Sequence, residues 1–102
     1  MFKEERKQYK FTWRDLGDID TGRPNLGSTV PVLAYRLLQY TMRDVLITEL
    51  GVDAANEMLI KAGRHAGIHF CKNMLDTDTD FNEFIAQLQR ILKEQAIGIL
   101  RI

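Results

Sequence analysis

His65 and His69 stand four residues apart, the spacing that lets two imidazoles reach one ion from the same side of a helix. The residues between them, Ala66, Gly67 and Ile68, supply no glutamate, so the metalloprotease pattern is missing. At about 100° per residue, His65 points about 120° from the apolar face centred near Leu59 and Phe70, and His69 about 80°. Both therefore read as surface histidines, His65 in solvent and His69 at the boundary, and no metal is assigned to them. Cys71 has Lys72 beside it, but no His or Asn is placed by the sequence to activate its thiol, so it reads as a small packed hydrophobe. Asp76, Asp78 and Asp80 imitate the first ligands of a calcium loop. Phe81 and Gln87, however, occupy the positions where that loop needs glycine and glutamate. The stretch Gly22-Arg23-Pro24-Asn25-Leu26-Gly27-Ser28-Thr29 has the glycine spacing of a phosphate loop. Ser28 replaces the essential lysine, and no buried strand leads into it, so it reads as a turn that caps the first helix. No catalytic residue emerges.

These groups have to be positioned by a few short elements. Residues 1–8 form a charged tail, and Tyr9, Phe11 and Trp13 alternate with polar residues, which predicts an extended arm or short strand over 9–13. Residues 14–29, rich in glycine and aspartate, read as a loop. A first helix is expected from near Pro31, capped by Ser28 or Thr29, with Leu33, Ala34, Leu37, Leu38, Met42, Val45 and Leu46 on its core face. Gly51 ends it. Asp53 caps a second helix that reaches about Leu75, with a small patch of Ala62, Gly63, Ala66 and Gly67 on its apolar side. Two glycines inside a helix cost about 1 kcal/mol each against alanine, which suggests tight helix packing or a ligand above the patch. Asp80, with Glu83 three residues on, opens a third helix that carries Phe81, Phe84, Ile85, Leu88, Ile91 and Leu92 on one face. The β-branched end, Ala96 to Ile102, reads as a terminal strand in need of a partner.

The balance of the chain excludes several functions. It has 102 residues, with 14 Lys plus Arg against 14 Asp plus Glu, and 45% hydrophobic residues. A zero net charge argues against a nucleic-acid partner, and the apolar fraction argues against a disordered tail. A single cysteine permits no intrachain disulfide and points to a cytoplasmic protein. No apolar run is long enough for a transmembrane segment, and the charged start lacks the apolar core of a signal peptide. One domain of this size has a small core, which predicts completion by a homodimer partner, a ligand or further chain.

Several segments taken together resemble a known family. Phe11-Thr12-Trp13-Arg14-Asp15-Leu16-Gly17-Asp18-Ile19, Gly22 to Gly27, Tyr35 to Gln39 and Lys61 to Gly67 resemble the N-terminal part of the 4-vinyl-reductase-type, or hydrocarbon-binding, domain. That domain is related to haem NO-binding sensors and to vesicle-tethering complex subunits. The resemblance implies an α+β fold, helix-dominated, with three main helices packed on a small antiparallel sheet that is incomplete in this chain. It also implies an apolar cavity, whose wall is expected from Leu38, Met42, Leu59, Ala62, Phe70, Met74, Phe84 and Leu88. The expected function is then a non-catalytic domain that binds or senses an apolar small molecule, with no cofactor. The alternatives are a dimerisation or scaffold module and, from the family name, an accessory role in tetrapyrrole vinyl reduction.

Overall fold

The computed structural model describes residues 10–101. The chain divides into two compact units, Met1–Asn56 and Glu57–Ile102. Its order is a short 3-10 turn, Trp13–Leu16, followed by α1 (Val32–Leu50), α2 (Val52–Met74) and α3 (Phe81–Glu94).

The three helices agree with the apolar spacing, but the expected sheet is a correction: the described residues contain no strand, only an isolated antiparallel bridge between Arg23 and Gly27. Two local devices displace the predicted strands. Trp13 enters the 3-10 turn because the Thr12 N–H donates to the Asp15 carboxylate at 2.9 Å and the Asp15 N–H to the Thr12 carbonyl at 3.0 Å. Tyr9, at the start of the predicted arm, lies outside the described residues. At the other end, Ala96 turns left-handed at φ 56°. The Ala96 N–H reaches the Lys93 carbonyl at 3.0 Å and the Ile97 N–H reaches Leu92 at 2.8 Å. This is the paired-bond cap that closes a helix and satisfies its last carbonyls. The Gln89 side chain then donates to the Leu100 carbonyl at 3.0 Å, taking an acceptor that a strand would offer to a ladder.

The first unit holds the loop, α1 and the start of α2. α1 starts one residue later than Pro31, which is its N-cap in an extended conformation (ψ 152°) and accepts the Ala34 N–H at 3.0 Å. Neither Ser28 nor Thr29 caps it, because both lie upstream of that extended step. Gly51, at φ 83°, closes α1 by donating to Ile47 at 2.8 Å, and its own carbonyl accepts the Ala55 N–H at 3.1 Å. One glycine therefore ends one helix and starts the next. Asp53 lies in the first turn of α2, near the positive helix end, rather than at the cap.

In the second unit, Asp80 caps α3 as expected: its carboxylate accepts the Glu83 N–H at 2.8 Å. Gln87 fastens the connection ahead of it. Its amide oxygen accepts the Asp76 N–H at 3.0 Å, and its amide nitrogen donates to the Asp76 carbonyl at 3.2 Å. A side-chain amide thus pairs with one backbone residue much as a neighbouring strand would. Gln87, one of the two residues that spoil the calcium-loop pattern, is the one that locks the turn.

Candidate functional site

Of the eight residues expected to line an apolar cavity, Leu38 and Met42 lie on α1 in the first unit and are exposed. The other six lie in the second unit. Leu59, Phe70 and Met74 on α2 and Phe84 and Leu88 on α3 are half-buried, while Ala62 is exposed. Ala55, fully shielded at 0% exposure, is the one buried residue among those described.

The clearest apolar depression involves none of the eight. It is a solvent-open hollow of about 560 Å³ along the first turns of α1, lined by Val32, Leu33, Arg36, Leu37 and Tyr40. Leu33 and Leu37 belong to the predicted core stripe of α1, but Val32 and Tyr40 were missed. The signal was present in the sequence. The core face expected for α1 is a correction: of its seven residues only Leu46 is half-buried, and apolar side chains occur all round the helix, so their spacing does not mark one packed side. Exposure is not confined to one side, since Val32, Tyr35 and Tyr40 are open as well. Leu46 and Ile47 are half-buried, whereas Leu37 and Leu38 are each 60% exposed, Val45 is 60% exposed and Met42 is 50% exposed.

A second hollow, of about 370 Å³, lies in the glycine-rich loop between Leu16 and Val30. The loop is held by its own groups. The N–H groups of Asp20 and Thr21 both donate to one Asp18 carboxylate oxygen at 3.1 Å, and the Thr21 hydroxyl donates to the other at 2.8 Å. The Thr21 N–H, then its hydroxyl, hold the Asp18 carboxyl below the ordinary value of 3.8; slight desolvation opposes them and the Asp20 N–H adds to them. Arg23 and Gly27 exchange backbone bonds at 2.9 and 3.0 Å, and the Arg23 guanidinium donates to the Thr29 carbonyl at 3.1 Å. At Gly22 (φ 71°) an added Cβ would sit 2.2 Å from the Gly27 carbonyl oxygen, so only glycine fits. The phosphate-like glycine spacing therefore serves a closed turn.

The histidines take the expected environments, His65 exposed and His69 half-buried. Their rings meet edge to face with centres 4.8 Å apart. Cys71 is a half-buried free thiol. No group of three or more His, Cys, Asp or Glu gathers into a metal-holding cluster among the described residues, the run Asp76 to Asp80 included. The small patch on α2 also differs from expectation. A Cβ added at Gly63 or Gly67 meets nothing within 4 Å, so no close backbone approach explains either glycine. No described helix is long and apolar enough to cross a membrane. Set against known proteins, the chain matches no family model, no curated protein and no solved structure.

Proposed function

We propose that this chain is a non-catalytic helical module that works through an apolar face of α1, and that a second copy of the chain covers that face. The observation that supports this reading is one uncharged stripe. Ala34, Leu37, Leu38, Thr41, Met42 and Val45 recur at intervals of three and four, which puts them on one side of α1, and their large members are half-exposed or more. Such a stripe is self-complementary: two antiparallel copies centred on Thr41 set Leu37 of each against Val45 of the other. Burying the exposed half of Leu37, Leu38, Met42 and Val45 yields about 1 kcal/mol per side chain, roughly 4 kcal/mol per copy and 8 kcal/mol per dimer. Association itself costs about 4–15 kcal/mol. The two are of like size, so the expected dimer forms and dissociates with concentration. Sedimentation equilibrium tests this directly. The wild type is expected to shift from monomer to dimer as concentration rises, and Leu38→Glu to remain monomeric with its helix content unchanged. A wild type that stays monomeric throughout overturns the reading.

A second reading, an apolar small-molecule binder, is favoured by the hollow beside Leu33 and Leu37. The likeness to hydrocarbon-binding domains supports the same class. Native mass spectrometry of the purified chain is then expected to show retained ligand mass, and fatty acids or aromatic hydrocarbons to raise the melting temperature. No retained mass and no shift across such a panel leave the self-association reading alone.

A further inference from the structure

We propose that the α1 helices of two copies associate antiparallel, and that Tyr35 of each copy meets Glu49 of the other across the seam and fixes that orientation. This rests on the self-association reading above and adds the residues that give it direction. The centre of the stripe has no directional contact to offer. The Thr41 hydroxyl is engaged on its own helix, donating to the Leu37 carbonyl at 2.7 Å. Direction comes from one charge near the end of the helix. At about 100° per residue, Glu49 lies about 50° and Tyr35 about 90° from the middle of the stripe, both on the same side of it. Both are exposed, Tyr35 at 62%.

In a parallel pair the two Glu49 carboxylates would stand level beside the seam, and like charges so placed repel. In an antiparallel pair centred on Thr41 they lie about 24 Å apart along the axis. A twofold axis across the seam keeps the same side of both helices together. Glu49 of one copy then lies about 3 Å along the axis from Tyr35 of the other. Side chains lean toward the N-terminus of their own helix, so in antiparallel copies these two lean toward each other. The phenol donates a charge-assisted hydrogen bond and the carboxylate accepts it. The ends of α1 favour the same orientation. α1 has no acidic residue in its first turn, no basic one in its last, and no side-chain bond at its Pro31 cap. Within one copy Glu49 sits at the negative helix end, where a carboxylate is unfavourable. In the antiparallel pair it lies beside the positive end of the other helix.

The test combines cysteine trapping, in a Cys71→Ser background, with sedimentation equilibrium of the full chain. Antiparallel helices place residue 34 of one copy level with residue 48 of the other. The two copies of residue 34 are then about 21 Å apart, beyond the reach of a disulfide. Under copper-phenanthroline oxidation, a mixture of Ala34→Cys and Thr48→Cys chains is expected to give covalent heterodimers, while neither chain crosslinks with itself. Tyr35→Phe and Glu49→Ala should each weaken dimerisation roughly tenfold, and the double variant no further, because both remove the same contact. Circular dichroism confirms that each variant is folded. No heterodimer in the mixture, self-crosslinking of either chain, or additive effects of the two substitutions overturns the proposal while self-association stands. A wild type that stays monomeric at every concentration overturns both.

Discussion

Asp18 shows how much one exposed carboxylate organises. It accepts two backbone N–H groups and one hydroxyl within three residues, and its own carbonyl takes the Gly22 N–H at 2.8 Å. Those donors favour the ionised form and hold its pKa below 3.8. A carboxyl whose folded pKa is depressed contributes to stability above its unfolded pKa, and that contribution is lost as pH falls through the folded value. Loop order is therefore expected to hold from neutral pH down to about 3.8 and to weaken only below it. The Thr21 amide resonance reports this: its titration midpoint should lie below the ordinary carboxylate value, and a midpoint at or above that value refutes the assignment. At this scale the sequence was partly legible. The Asp80 cap could be read from the Asp-x-x-Glu spacing, because that bond is local. The left-handed turn at Ala96 could not, because nothing but the bonds back to Leu92 and Lys93 selects it.

At the scale of elements, helices were legible and strands were not. α3 was the clearest, since Phe84, Ile85, Leu88, Ile91 and Leu92 repeat at helical spacing between a cap and a polar end. The terminal run from Ala96 has β-branched residues, but propensity makes no strand without a ladder, and Gln89 binds the Leu100 carbonyl instead. The interior glycines of α2 carry a prediction. They resembled a site of close approach, yet both positions face open space. Gly63→Ala is therefore expected to raise the free energy of unfolding by about 1 kcal/mol, the helix-propensity difference, measured as an upward shift of the urea midpoint at constant slope. A lower midpoint would mean that a neighbouring surface does come close to that turn, and would return the patch to its role as a contact.

For the whole molecule the decisive quantity is uncovered apolar surface. Ala55 alone is buried among the described residues, while Leu33, Leu37, Leu38 and Val45 of α1 stay largely open. A chain of this length already buries a smaller share of its surface than larger domains do, so each uncovered leucine is a large part of what could stabilise it. If a second copy supplies the missing cover, folding and association are linked, and stability depends on protein concentration. A hundredfold increase in concentration should then raise the melting temperature by roughly 5–10 °C for a chain of this size. Leu38→Glu separates this from non-specific crowding. Glutamate is a good helix former, and Leu38 is already exposed, so the monomer should remain folded, while a carboxylate buried between two apolar stripes would be left unpaired. The variant should melt at one temperature whatever its concentration, close to the wild type at its most dilute. A wild type whose melting temperature does not move with concentration would show that the open face of α1 is not covered by its own kind.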